Sequence, residues 1–220
     1  MPKTRAYTDS ADSPPPDCNL CPRLVEFRRK NQIIWPEWHN RPVPSFGSLN
    51  ARLLIVGLAP GLKGANRTGR PFTGDYAGDL LFQTLKKFGF AAGKYDKRPD
   101  DGLQLKDCRI ANGVRCLPPE NKPIGSEVNN CRPFLVSEIQ NMKNLKVILA
   151  LGGIAHNTLL STLGERRAAF RFSHSAFHSL RNGITLADSY HCSRYNTNTG
   201  RLTEAMFEDV FEKILGSFFS

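Results

Sequence analysis

The chain has 220 residues, a length that fits one domain with a substantial hydrophobic core. Its 30 Lys and Arg residues outnumber its 20 Asp and Glu residues, and the net charge of +10 favours a polyanionic partner, although basic proteins without such a partner are as common. The N-terminal segment lacks the apolar core of a secretory signal, and the longest apolar run, Val147 to Leu151, is too short to span a bilayer. We therefore expect an intracellular, cytoplasmic monomer that does not contact membranes.

The first part of the chain predicts little regular structure. Residues 1–16 end in a Ser-Pro-Pro-Pro run, which predicts an extended or disordered lead-in and leaves residues 17–220 as a single domain. A C-x2-C pair then opens a short helix that reaches Lys30. Residues 31–50 contain two tryptophans and several prolines in irregular order, and they predict a belt packed across the edge of a sheet.

The central stretch predicts a strand, a loop and a helix in succession. A branched apolar strand, Leu53 to Val56, leads into a glycine-rich loop that carries cations. Helical spacing follows from about Asp75 to Phe88, and Gly89 is expected to cap the end. The loop contains neither the dinucleotide fingerprint nor the ATP-binding P-loop, but loops at the carboxyl ends of parallel strands commonly hold anions and active sites.

The second half alternates strands and helices. Residues 94–106 predict a surface loop, and a helix capped by Ser126 is interrupted by Pro133. The remaining predicted elements are strands at 109–114, 146–151 and 184–190, a helix at 154–163, and a final helix with an apolar stripe from Leu202 to Phe218. This alternation predicts an α/β fold: three α/β/α layers around a central four-stranded parallel sheet. The carboxyl ends of the four strands then meet at one rim.

Four of the six cysteines form a pattern typical of a metal site. Cys18 and Cys21 form the C-x2-C pair, Cys116 follows the second strand, and Cys131 lies in the interrupted helix. From spacing alone, zinc and an iron–sulfur cluster are equally favoured, and buried thiols without a metal are a third reading. Cys108 is interpreted as a packing residue, and Cys192 as a possible free thiol in a functional loop.

Six ordered sequence blocks resemble a known family. They are GLAPG (57–61), NRTGRPFTGD (66–75), NGVRCLPPENKP (112–123), NCRPFL (130–135), ALGG (150–153) and SYHCSRYNTNTGRL (189–202). In this order they resemble the uracil-DNA glycosylases of family five, or type B, in the iron–sulfur branch of that superfamily. The resemblance implies a 4Fe–4S cluster on Cys18, Cys21, Cys116 and Cys131. It also implies excision of uracil, and of other deaminated bases such as hypoxanthine, from double- and single-stranded DNA by base flipping, leaving an abasic site.

Two positions depart from the superfamily pattern. Leu58 stands inside the first motif where other branches carry a polar or acidic residue, so the group that activates water must come from elsewhere. Cys192 replaces the proline of a His-Pro-Ser motif, which frees the backbone around His191.

The resemblance assigns roles to residues at the strand ends. His191 is expected to donate to the base as negative charge develops on it, Asn112 to read the Watson–Crick edge, and Phe72 to stack on the base. The alternative interpretation of His191 is a structural histidine, that of Asn112 a turn residue, and that of Phe72 a core phenylalanine. The other residues predicted to line the base pocket are Gly57, Ala59, Pro60 and Gly61.

Asp75 is the acid expected to orient water and to stabilise the cationic sugar, and its plain alternative is a helix cap. We expect the helix N-terminus to keep it ionised. Residues predicted to contact DNA are Asn66, Arg67, Arg70, Ser193, Arg194 and Tyr195, with Arg194 or Tyr195 filling the gap left by a flipped base.

Two other functions are compatible with these residues. A damage-binding module would flip bases without cleaving the glycosidic bond. The departures from the superfamily pattern at Leu58 and Cys192 are compatible with this function. An α/β enzyme acting on free nucleotides could use the same loop and Phe72.

Overall fold

A computed structural model describes residues 13–219. Most of the predicted lead-in, residues 1–12, lies outside the described residues. Of the remaining lead-in residues, Pro14 is buried. Within residues 13–219, no helix combines the length and the apolar composition needed to cross a bilayer.

Helices and strands alternate along the chain. The α-helices of the described residues are α1 Pro22–Ile34, α2 Ala65–Thr68, α3 Tyr76–Lys87, α4 Gly125–Asn141, α5 Gly153–Thr162, α6 Arg194–Asn198 and α7 Glu204–Phe218. The strands are β1 Phe46–Gly47, β2 Leu53–Gly57, β3 Ala91–Ala92, β4 Gln104–Leu105, β5 Cys108–Asn112, β6 Val147–Leu151, β7 Phe177–Ser179 and β8 Thr185–Ser189. Short 3-10 turns lie at Pro119–Asn121 and Arg167–Ala169.

The main sheet has the order β1-β5-β2-β6-β8-β7. Its four central strands are parallel, as predicted, and helices cover both faces. Two antiparallel edge strands, β1 and β7, extend it to six strands. The sequence did not reveal these edges because two or three residues are too few to show an alternating pattern. The pairing of β1 with β5 places part of the predicted belt at the sheet edge.

The parallel strands separate two hydrophobic layers. In β2, Leu53 and Ile55 point into the layer under α3 and α7, whereas Leu54 and Val56 point into the layer under α4 and α5. This alternation follows from the two-residue repeat of a strand, and burial on both faces explains why the strand is apolar throughout. Cys108 is buried in the first layer, as predicted.

The register brings the strand ends together. Gly57 pairs with Asn112 across β2 and β5, and Leu151 pairs with Ser189 across β6 and β8. The loops that follow these residues therefore leave the sheet at the same edge, which is where an open α/β fold binds its ligands.

Helix boundaries are close to those predicted, but two predictions about α4 are wrong: the helix runs unbroken through Pro133, where an interruption was expected, and its cap is misplaced. Asp75 caps α3 by accepting a hydrogen bond from the Gly78 N–H at 3.3 Å, and Gly89 adopts φ of 78° just beyond its end. The predicted cap at Ser126 is wrong, because α4 begins one residue earlier. There the Glu127 carboxylate accepts a hydrogen bond from the Ile124 N–H at 2.9 Å and takes over the capping role.

A buried His-Asp-His group holds β8 against its neighbours. Asp188 accepts from His156 Nδ1 at 2.7 Å and from His178 Nε2 at 3.0 Å. The other ring nitrogen of His156 faces the Phe170 carbonyl oxygen at 3.0 Å. Because both ring nitrogens of His156 face acceptors, His156 and Asp188 form a hydrogen-bonded ion pair. This pair fixes the strand that leads to His191.

Arg70 and Asn66, predicted to contact DNA, lie inside the protein instead. The side chain of Arg70 is 2% exposed, and its guanidinium forms two 2.8 Å hydrogen bonds with the carboxylate of Asp101. Asn66 is also buried and donates to Asn40 at 2.8 Å. Burial alone would raise the pKa of Asp101, but the guanidinium and two backbone N–H groups lower it to about 2. Both residues therefore support the glycine-rich loop from within.

Replacing Arg70 should destabilise the fold. The Arg70→Met substitution leaves the Asp101 carboxylate buried without its partner, a change that typically costs about 3 to 5 kcal/mol. Urea unfolding should report this loss of free energy, whereas the exposed neighbour, tested as Arg67→Gln, should change stability by less than about 0.5 kcal/mol. Equal stability of the two variants would contradict a buried role for Arg70.

Candidate active site at the strand ends

A cleft of about 620 Å³ opens where the central strands end. This volume is typical of small-molecule and cofactor sites. The residues that line it and were predicted for the site are Ala59, Pro60, Gly61, Phe72, Asp75, Asn112, His191, Ser193 and Arg194. The aromatic ring, the amide, the imidazole and the carboxylate therefore share one cavity.

The inner end of the cleft depends on the missing side chain of Gly57. A Cβ atom there would lie 2.6 Å from Asn112 Oδ1 and 2.7 Å from Phe72 Cζ. Phe72 itself adopts φ of 53°, an uncommon value for a residue with a side chain. Both side chains are nearly buried, with the Phe72 residue 7% and the Asn112 residue 3% exposed. The Asn112 amide and the Phe72 ring thus approach each other beside the backbone of Gly57, which has no side chain to separate them.

His191 lies above this ring. The centroids of Phe72 and His191 are 5.9 Å apart, with an angle of 29° between the ring planes. Within the described part of the chain, the His191 ring makes no hydrogen bond, while its carbonyl oxygen accepts from Asn196 at 2.8 Å. Burial lowers the pKa of His191, which favours the neutral imidazole. A ring nitrogen is therefore available to a ligand.

The Asp75 carboxylate packs against the glycine-rich loop. A Cβ atom on Gly64 would lie 2.2 Å from Asp75 Oδ2, and one on Gly61 would lie 3.1 Å from the same oxygen. Burial raises the pKa of Asp75, and the charge of Asp79 adds to the rise, although the Gly78 N–H lowers it. This direction is opposite to the expected effect of the helix N-terminus, because desolvation outweighs the cap.

The segment after His191 places cations at the mouth of the cleft. Ser193 caps the short helix α6 by accepting from the Asn196 N–H, and the Arg194 guanidinium lies 5.2 Å from the centre of the Tyr76 ring. Tyr195 is 72% exposed. Arg67 is also exposed, in contrast to Arg70. Cys192 is a free thiol in the loop after β8, as predicted, but it is fully buried and donates to the Ala77 carbonyl oxygen at 3.4 Å, so it does not face the cleft.

The sequence matches known proteins over most of its length. The profile of the uracil DNA glycosylase superfamily matches residues 44–215. The type-5 uracil-DNA glycosylase of Thermus thermophilus is 44% identical over 198 residues, covering 88% of this chain and 90% of that protein. The corresponding enzymes of Mycobacterium leprae and Pyrobaculum aerophilum are 42% and 38% identical, covering 88% and 90% of this chain and 88% and 87% of their own lengths. The chain belongs to the uracil DNA glycosylase superfamily.

This member of the superfamily has a second site, formed by four cysteines. Cys18, Cys21, Cys116 and Cys131 line one pocket, together with Pro14 and apolar residues of α1 and α4. Hydrogen-bond donors face three of the sulfur atoms: Arg28 faces Cys116 at 3.8 Å, Asn130 faces Cys21 at 3.7 Å, and the Arg115 N–H faces Cys131 at 3.3 Å. The fold has thus gathered thiols that lie more than 100 residues apart in sequence.

The spacing of these sulfur atoms is wider than one zinc ion requires. Four thiolates bound to a single tetrahedral zinc at about 2.3 Å would lie about 3.8 Å from one another. Among residues 13–219, no three of the four sulfurs lie within 4.8 Å of one another. Burial also raises the pKa of Cys116 to about 12, so a thiolate at this position needs a cation beside it.

The cleft is also lined by residues that the sequence analysis did not predict as part of the site. Asn121 lines the cleft from the loop before α4, with φ of 58°. Lys63, Lys97 and Asp79 line its outer part, and Lys97 pairs with Asp79 at 2.8 Å. Their only sequence signals were membership in one of the six blocks for Asn121, in a cationic or charged loop for Lys63 and Lys97, and in a predicted helix for Asp79. None of these distinguishes a lining residue from a solvated one.

Substituting Gly57 should disrupt the cleft of this protein without unfolding the domain. The added Cβ of Gly57→Ala displaces Asn112 and Phe72, and misplacement of reacting groups by about 1 Å can reduce activity about 100-fold. We expect a loss of at least tenfold in uracil excision from a duplex, measured as kcat/KM. Gly125→Ala, where nothing lies within 4 Å of the added atom, is the matched control. Equal activity of the two variants would contradict this account of the cleft, and thermal melting of both separates misfolding from misplacement.

Proposed function

We propose that this protein removes uracil from DNA by hydrolysing the N-glycosidic bond, the first step of a repair reaction inside the cell. One observation carries the proposal: an aromatic ring, an amide, an imidazole and a carboxylate line a single cleft at the strand ends. The chain also belongs to a family whose relatives are named uracil-DNA glycosylases. The net charge of +10 suits a DNA partner.

The target base must leave the duplex to reach this cleft. The Phe72 ring and the Asn112 amide lie at the inner end and are almost fully buried, so a base paired within a helix cannot touch them. An extruded uracil would stack on Phe72 and exchange hydrogen bonds between its Watson–Crick edge and Asn112, whose amide offers both donors and an acceptor. Hypoxanthine presents a similar carbonyl and N–H edge, and we extend the proposal to that base.

Two charges develop as the bond breaks, one on the base and one on the sugar. Burial lowers the pKa of His191 and favours its neutral form, and its ring lies close to Phe72 with no hydrogen bond to residues 13–219, so it can donate to the carbonyl oxygen of the departing base. Asp75 faces the same cleft and, when ionised, can stabilise the cationic sugar and orient the attacking water. Since Leu58 is apolar, Asp75 is the acid placed to take on this role.

The four cysteines suit a 4Fe–4S cluster. The supporting observations are the shared pocket, the N–H groups facing three sulfurs, and sulfur spacing too wide for one zinc ion. A bound cluster would join α1, the β5 end and α4 through thiolate–iron bonds and serve as a structural link. Hydrolysis of a glycosidic bond transfers no electron, so excision needs no redox step at this site.

Neutralising Asp75 should abolish most of the activity. We expect Asp75→Asn to lower single-turnover excision of uracil by about 10² to 10⁴-fold, the usual contribution of a positioned acid or base, while binding to a uracil-containing duplex persists. The matched control is Asp79→Asn, an acid in the same cleft on the same helix. An excision rate within a few-fold of wild type for Asp75→Asn would assign its carboxylate to helix capping alone.

The pH dependence should report the environment of Asp75. Because burial raises the pKa of this carboxyl, activity should begin to fall, as pH decreases, above the ordinary range near 3.9. The charge of Asp79 contributes to the raised pKa, so Asp79→Asn should move the acid limb of the kcat/KM profile to lower pH. A shift to higher pH, or none, would contradict the proposed coupling of the two acids.

The metal content distinguishes the readings of the cysteine site. Protein purified without chelators should be brown and contain about four iron and four sulfide ions per chain. Cys116→Ser should lose the visible absorbance and lower the melting temperature, whereas Cys192→Ser, which alters a fully buried thiol outside the set, should retain the iron. Colourless protein with stoichiometric zinc would reject the cluster and leave the excision proposal intact.

A further inference from the structure

A second groove lies beside the cleft and has no role in the reaction described above. Its volume is about 490 Å³, and it is lined by Arg171, Phe172, Ser173, Tyr190 and Arg201. Both arginines are exposed, and neither guanidinium forms an ion pair within residues 13–219. Two unpaired guanidinium groups in one groove create a site for an anion.

The groove is rigid because Tyr190 lies in a stack of three groups. The Arg201 guanidinium lies 4.6 Å from the centre of the Tyr190 ring, and the His174 ring lies 5.0 Å from that centre at 14°. The Tyr190 N–H donates to His174 Nδ1 at 3.2 Å, and His174 Nε2 faces the Met206 carbonyl oxygen at 3.2 Å. These two contacts fix the neutral Nε2–H form of His174. The Tyr190 ring thus holds the Arg201 guanidinium in place through a cation–π contact.

A ridge of two glycines separates the groove from the cleft. A Cβ atom on Gly152 would contact His191 Cβ at 3.6 Å, and one on Gly153 would contact Phe172 Cδ1 at 3.4 Å. Tyr190, which holds the arginine, immediately precedes His191 in the chain. A DNA strand that delivers a base to His191 would therefore pass its neighbouring backbone over or along this groove.

We propose that Arg171 and Arg201 bind a backbone phosphate of the DNA next to the target nucleotide, an inference that rests on the proposed function. A base is a poorer occupant, because the His174 ring and the Arg201 guanidinium already stack on the Tyr190 ring. Guanidinium groups match phosphate oxygens with paired hydrogen bonds. Tyr190, which holds Arg201, directly precedes His191 in the chain. A phosphate bound in the groove would therefore align the DNA strand with the catalytic imidazole without reading the DNA sequence.

Salt dependence of binding tests the groove in the full-length protein. Binding to two duplexes that differ only in one uracil is measured over a range of salt concentrations for wild type, Arg171→Gln, Arg201→Gln and the double variant. Each substitution should weaken binding to both duplexes equally, and the two together should reduce the slope of log K against log salt by about 0.9, the value for one phosphate contact. Between about 50 and about 200 mM salt, the loss of affinity of the double variant should therefore be about 3.5-fold smaller than that of wild type.

Three further variants separate a phosphate contact from a general effect of charge. Arg181→Gln removes an exposed arginine at the turn between β7 and β8, the opposite end of the strand, and should leave the slope unchanged. Tyr190→Leu should reproduce the Arg201→Gln slope, whereas Tyr190→Phe should retain the wild-type slope because it keeps the ring.

The outcomes are distinguishable from those that test excision. A slope change equal to that of Arg181→Gln, or weaker binding only to the uracil-containing duplex, would overturn the groove proposal. Displacement of DNA from wild type, but not from Arg201→Gln, by inorganic phosphate at constant ionic strength would support the proposal, because the two ligands would then compete for the same groove. The duplex without uracil tests the groove even where no excision occurs, so failure of one proposal does not decide the other.

Discussion

The cleft depends on the close approach of two side chains over a residue that has none. Gly57 ends β2 beside Asn112 in β5, and a single added carbon there would overlap both the amide and the Phe72 ring. The uncommon backbone conformation of Phe72 directs its ring to this position. Tertiary structure on both sides holds this arrangement: the strand pairing fixes Asn112, and the Arg70–Asp101 pair supports the loop that carries Phe72. The packing leaves no room for side-chain variation at the inner end of the cleft.

The electrostatics of the cleft follow from burial more than from formal charges. Desolvation raises the pKa of Asp75 despite the N–H groups at the start of α3, and it lowers the pKa of His191. Both shifts disfavour the charged forms, and under the proposed reaction a substrate that develops charge would supply counter-charges to both groups. The strongest interactions in such a site therefore form as the reaction proceeds, which is the condition for lowering its barrier.

The basic residues divide into two classes that composition does not separate. Some arginines lie inside and join elements: Glu138, for example, accepts hydrogen bonds from both Arg109 and Arg115, which ties α4 to β5 and to the loop that carries Cys116. Burial alone would raise the pKa of Glu138, but the two guanidinium groups together lower it. Others, including Arg194 and Arg201, lie over aromatic rings at the surface with their charge accessible. Only this second class is available to a polyanion.

The sequence by itself determined the α/β class, the four parallel strands and most helix boundaries, because their apolar runs and caps are local signals. Through the ordered motifs it also indicated which residues gather at the strand ends, and Phe72, Asp75, Asn112 and His191 do share one cleft. Tertiary structure alone decided the edge strands, the burial of Arg70 and Asn66, the position of Cys192 in the core, and the direction of the pKa shift at Asp75. Each of these depends on contacts between segments distant in the chain, and neither residue type nor spacing records how much water such contacts exclude.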